Sequence, residues 1–205
     1  MRGPNGPGHP PSEPVIAERL RTEATNWING VSLQSSRIAQ AFRNRHSSHV
    51  DFQALEIDLH FFLIAVFRLR RCVERVSNRV RGLSVPLTAR VGVFDDAIPS
   101  LRRLRNVSEH IDEYNLDEGR DSQVSRIQVQ TWYLDTAEGG GLIWGWLGER
   151  LDVEQTHEAA LLLYRGFLAD VDTWIGTARA GSDSLSADHP ADTSAMSDPA
   201  DIETA

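Results

Sequence analysis

The sequence predicts a mainly α-helical fold, a four-helix up-and-down bundle with a β-hairpin inserted between helices three and four. Three observations carry this expectation. Apolar residues recur at alternating steps of three and four along several stretches of the 205-residue chain, the period of an amphipathic helix. One stretch, from 126 to 147, instead alternates apolar and polar residues around a glycine-rich turn. Both ends have compositions that do not build a core, so the bundle is expected over residues 14–180.

The first helix is predicted from Ile16, Leu20, Ala24, Trp27, Val31, Ile38 and Phe42, with Gly30 as a kink point after Asn29. The second starts after Asp51, a capping residue type, and carries Leu55, Leu59, Phe62, Val66, Leu69, Val73, Val76 and Val80 in a heptad stripe. Ile57, Phe61, Ile64 and Phe67 widen that stripe, which marks a central helix contacted from more than one side. A shorter helix is expected from about Pro99, suited to a first helical turn, to about Asn115, with Leu101, Leu104, Val107, Ile111 and Tyr114 inward. The hairpin would pair Arg126–Asp135 with Leu142–Leu147 around Glu138, Gly139, Gly140 and Gly141. Asp152 followed by Gln155 has the form of a capping box, and His157, Leu161, Tyr164, Leu168, Val171 and Ile175 form the last stripe.

Composition narrows the class. Hydrophobic residues make up 40% and charged residues 24%, and the longest apolar run, Phe61 to Phe67, is far shorter than a membrane span. The only cysteine is Cys72, so no intramolecular disulfide is expected, and a cytoplasmic setting fits. All 21 basic residues are arginine, a planar fork suited to carboxylate or phosphate. The net charge of -8 is unevenly placed. Residues 181–205 hold six acids and no arginine, and read as a disordered acidic tail; residues 1–13, rich in Pro and Gly, read as a flexible leader without the apolar core of a secretory signal. Within the bundle, residues 14–110 carry 15 arginines against 9 acids, whereas 111–180 carry 5 against 13. A basic half on an acidic protein leaves phosphate binding open and permits pairing with the acidic half, within the chain or between subunits.

Chemistry concentrates in Leu101–Tyr114. On a helix, Asn106 and His110 share a face with Arg103 and Glu113, while Arg105 lies further round. Arginine can hold a phosphodiester in bidentate fashion, and histidine titrates near neutrality as general base or acid. Arg105-Asn106-x-x-x-His110 resembles the R-x(4-6)-H motif of the HEPN superfamily, including the polar residue after the arginine. The resemblance implies an all-α bundle of four or five helices and a metal-independent endoribonuclease of toxin-antitoxin or defence type, in which two protomers of a homodimer pair their motifs in one composite site. On that likeness Arg105 would neutralise the scissile phosphate, His110 would assist attack by the RNA 2′-hydroxyl and Asn106 would orient the pair. Arg102 and Arg103 would hold the RNA by its phosphates, and an antitoxin or regulatory partner would be expected. Arg43-Asn44-x(4)-His49 matches the same pattern, but in a polar connection rather than an amphipathic helix. The reading of a different class is a non-catalytic helical module that dimerises or binds a partner, with Arg105 and Glu109 as an ordinary i,i+4 pair.

Other candidates are weaker. Glu154-x-x-His157 has half the spacing of a di-iron site without the second half, and His157 reads as a packed or capping histidine. His46-x-x-His49 lacks accompanying ligands, so no metal and no cofactor are expected. Trp132, Trp144 and Trp146 could stack on bases or seal an interface; the favoured reading is that they are core beneath the hairpin.

Overall fold

The computed structural model describes residues 10–44, 52–138 and 140–186. In chain order the elements are α1 (Glu13–Arg43), α2 (Phe52–Arg79), a 3-10 turn (Arg81–Leu83), α3 (Ser84–Ala97), α4 (Leu101–Glu109), α5 (Ile111–Asn115), α6 (Arg126–Gln130), β1 (Trp132–Thr136), β2 (Leu142–Trp146), β3 (Glu149–Asp152) and α7 (Val153–Ser186). The protein is mainly helical, with one three-stranded antiparallel sheet in the order β1-β2-β3. Helix α7 continues through Ser186, six residues into the segment read as tail; 187–205, 1–9 and the histidines at 46 and 49 lie outside the described residues.

α2 is central. All eight positions of its heptad stripe are buried, and they pack against α1, α3, α4 and α7. Burying a chain of Leu, Phe and Val along some seven turns supplies the dominant favourable term of the fold, at roughly 25 cal/mol per Å² of apolar surface removed from water. The widening residues behave differently: Phe67 is buried, whereas Ile57 and Phe61 are exposed. α1 lies antiparallel to α2, pinned where Arg37 Nε donates to the buried Asp58 at 3.0 Å, and it runs unbroken through Gly30, the expected kink point. Cys72 is buried against the same helices, and burial pushes its thiol up to about 12.

α3 has no counterpart in the sequence expectation. Leu87, Val91 and Phe94 turn inward, and buried Arg70 of α2 holds Asp95 of α3 through two 2.6 Å hydrogen bonds and Glu74 at 3.0 Å. The expected third helix, Pro99 to Asn115, is divided into α4 and α5 because His110 leaves helical geometry (φ -120°, ψ 29°). In α7 the buried residues include Val153, Thr156, Ala160, Leu163, Phe167 and Val171; of the expected stripe Val171 is among them, whereas Leu161, Leu168 and Ile175 are half-buried. Of that stripe, His157 and Tyr164 face α1 instead, meeting Ser32 at 3.0 Å and Thr25 at 2.9 Å. α7 therefore has two packed faces, and the sequence reading found the one toward α1.

The hairpin expectation needs two corrections. Arg126–Gln130 is helix, not strand: Ser125 and Gln128 form a capping box, Val129 is buried and Ile127 exposed, so five alternating residues gave a helix turn rather than a pleat. A third strand, β3, also follows β2 through Leu147 (φ 57°) and Gly148 (φ 78°), a two-residue left-handed turn that matches the twist of an antiparallel pair. The antiparallel pairing of Trp132–Thr136 with Leu142–Trp146 agrees with the expected hairpin. At the start of α7, Asp152 Oδ1 accepts from the Gln155 N–H at 2.9 Å, the capping half of the expected box.

Candidate functional site

α4 is nine residues long and strongly amphipathic. Leu101, Leu104 and Val107 bury one face on α2, which forces Arg102 and Asn106 outward. The loop after α5 then folds back toward α4. Asp117 takes a left-handed conformation (φ 59°), and at Gly119 a Cβ would lie 2.0 Å from the Tyr114 ring, so only glycine lets the chain pass over that buried ring. The Asp121 N–H donates to the Tyr114 hydroxyl at 3.1 Å. Its carboxylate takes a hydrogen bond from Arg103 Nε at 3.3 Å, while Arg103 Nη1 donates to Glu149 of β3 at 2.8 Å. These bonds, that to Glu149 foremost, raise the Arg103 pKa above its ordinary value.

The result is a cleft of about 630 Å³ between α4, α5 and the returning loop. Arg102, Arg103, Asn106 and His110 line it from α4 and its C-terminal cap, with Glu113 and Tyr114 from α5 and Arg120 and Asp121 from the loop. Arg102 and Arg120 are exposed and enter no ion pair among the described residues. The His110 side chain is 44% exposed, and its Nδ1 lies 2.9 Å from Glu113 Oε1. An ionised carboxylate only accepts, so Nδ1 carries the proton in that bond and the neutral ring presents the Nε2 lone pair elsewhere. Asn106 Oδ1 accepts from Arg105 Nη1 at 3.1 Å, leaving its NH₂ group as a donor.

Arg105 does not join them. Its guanidinium lies 4.5 Å over the Phe67 ring of α2 and is paired with Glu109, leaving the side chain 16% exposed. Its Nε is buried without a partner. Four of the five expected site residues, Arg102, Arg103, Asn106 and His110, thus line one cleft, and the fifth stands behind α4 and touches the group only through Asn106. Arg120, Asp121 and Glu149 were not anticipated; the signal for the first two was the Asp117-Glu118-Gly119 turn, which no helical or strand period marks.

The opposite side of α4 holds a second histidine. His60 Nδ1 and Ser108 Oγ are 2.7 Å apart, and the ring meets Trp144 and Trp146 edge-on at centroid distances of 5.8 and 5.0 Å. Burial lowers its pKa to about 4. Trp144 and Trp146 are buried and stacked at 5.3 Å, and Trp146 Nε1 donates to the Val129 carbonyl at 3.0 Å; these two are core, as favoured, whereas Trp132 is half-buried against the core. Glu154 is occupied by the Leu142 N–H at 2.6 Å and His157 by Ser32, with burial lowering the His157 pKa. Among the described residues no three His, Cys, Asp or Glu side chains converge as metal ligands, and no helix is long and apolar enough to cross a membrane. No protein-family model, curated protein or solved structure matches the chain.

Proposed function

We propose that the α4–α5 cleft binds RNA and that the protein is a HEPN-like, metal-independent endoribonuclease of toxin or defence type, working as a cytoplasmic homodimer. We read α1, α2, the α3–α5 segment and α7 as the four members of its up-and-down bundle. The observation that carries the reading is His110, accessible and backed by Glu113, in a cleft with the guanidiniums of Arg102 and Arg120, which enter no ion pair among the described residues. In the reaction the RNA 2′-oxygen forms a bond to the adjacent phosphorus as the bond to the 5′-oxygen breaks. His110 Nε2 takes the 2′-hydroxyl proton, and the departing oxygen takes its proton from water, giving a 2′,3′-cyclic phosphate and a 5′-hydroxyl. Arg102 and the unengaged Nη2 of Arg103 hold the phosphate, where charge develops. Arg105 is a positioning residue, fixing the Asn106 carbonyl so that its NH₂ is free for the ligand.

A second reading, a non-catalytic partner-binding module, is favoured by Arg105, whose charge is spent on Glu109 and the Phe67 ring and not in the cleft. Purified protein incubated with labelled RNA in EDTA separates the two. Cleavage by the wild type and a loss of about a hundredfold or more in His110→Ala are expected, the scale of a general base. Equal cleavage by both, or none by either, sinks the enzyme reading.

A further inference from the structure

A groove of about 440 Å³ lies between α3 and α7 and ends at Ala97, two residues before the α4–α5 cleft begins. Pro86, Ala89, Val93 and Phe94 form one wall, Ala159 and Leu162 the other. Val93 is 72% and Leu162 68% exposed, and Val85, two turns before Val93, is 81% exposed. The one charged lining residue, Arg90, is spent: it forms a bidentate pair with Asp170 at 2.5 and 3.0 Å. Gly166 makes room for that pair, since a Cβ there would lie 2.2 Å from Arg90 Nη1. α3 is therefore apolar on both sides, inward through Leu87, Val91 and Phe94 and outward through Val85, Ala89 and Val93. A contiguous exposed apolar row of this kind is normally covered.

The charges beside the groove say by what. On α7 the exposed Leu162 has Glu158 one turn before it and Arg165 one turn after, both exposed and neither in an ion pair among the described residues. We propose that this face is the contact between two copies of the chain, related by a two-fold axis passing near Leu162 and Val93. An antiparallel copy sets Glu158 against the partner's Arg165, and Arg165 against the partner's Glu158, while each Leu162 and Val93 closes over the other groove. A parallel approach would oppose Glu158 to its own copy. A self-complementary patch of this kind is what a closed two-fold interface requires, and the charge pairs at its edge fix orientation. The inference rests on the homodimer of the proposed function and assigns its contact face; it fails separately from the nuclease chemistry, which the RNA cleavage assay tests.

The test is the mass of the full-length chain in solution, by light scattering and sedimentation at micromolar concentration. The wild type is expected at twice the chain mass. Glu158→Arg and Arg165→Glu each put like charges face to face and weaken association by roughly tenfold or more. The double variant E158R/R165E restores it by exchanging the signs, an outcome that misfolding cannot imitate. Leu162→Asp, checked by circular dichroism, runs at the mass of one chain. A wild type at any mass but two chains, or a double variant no tighter than the singles, overturns the proposal.

Discussion

Arg102 and Arg105 are three residues apart on α4 and meet different surroundings. Arg105 turns back over Phe67 and is closed by Glu109, so its charge is used in holding α4 to α2. Arg102 stands at the cleft mouth with no carboxylate partner among the described residues. The two alanine variants should therefore separate stability from binding. Arg105→Ala loses a cation–π contact and a helix pair, about 1–2 kcal/mol together, read as a lower urea midpoint, and its RNA affinity falls little. Arg102→Ala leaves the midpoint within about 0.5 kcal/mol, the range of an exposed substitution away from any packed feature, and weakens RNA binding with a shallower salt dependence. If Arg105→Ala instead abolishes binding while the fold is unmoved, the side chain swings into the cleft and its role is the one the motif alone implies.

The elements show which signals in a sequence survive folding. The α2 stripe was legible because eight positions in one register outweigh any local exception. Arg126–Gln130 was not, because five residues fit a strand or a single helix turn equally well and the capping box decided it. In α7 the expected stripe coincides with the inward row at Val171 and lies one position round from it at His157, Leu161, Tyr164 and Leu168, since both neighbouring rows are packed and each has its own neighbour. Within the site, the four residues on or capping α4 follow from helical spacing, whereas Arg120 and Glu149 reach it through a loop and a strand that no local period connects to α4. His60, which joins α2, α4 and the sheet, was equally invisible. It makes a prediction at this scale. With its pKa lowered by burial to about 4, His60 stays neutral in the folded protein while the unfolded chain takes up a proton near the ordinary value of 6.5. Its contribution is fully present above pH 6.5 and is lost as pH falls from there to about 4, by about 3 kcal/mol. Urea unfolding across that window should show His60→Gln with a pH slope flatter than the wild type by that amount. Parallel slopes would mean the imidazole is solvated when the protein is folded.

At the scale of the whole chain, three arginines of the basic half answer carboxylates of the acidic half among the described residues. Arg21 pairs with Asp172 at 2.9 Å, Arg90 with Asp170, and Arg103 with both Asp121 and Glu149, each tie joining the basic first half to the acidic second. Beside these ties stands a cleft in which Arg102 and Arg120 enter no ion pair among the described residues, on a chain whose net charge is -8. Residues 187–205 contribute five acids, Asp188, Asp192, Asp198, Asp201 and Glu203, and no arginine, so a chain ending at Ser186 carries -3. Like charges repel a phosphate chain over a Debye length of roughly 10 Å at 0.1 M salt and over less at higher salt. The shortened protein should therefore bind a labelled single-stranded RNA several-fold more tightly at low salt, chiefly through faster association. The two affinities should converge as salt rises, because screening removes the repulsion while the contacts of Arg102 and Arg103 are common to both. Fluorescence anisotropy titrations of both proteins across a salt series measure this directly. A constant ratio of affinities at every salt concentration would show that the acidic segment acts through a specific contact and not through its field, and equal affinities throughout would show that it does not act on the cleft at all.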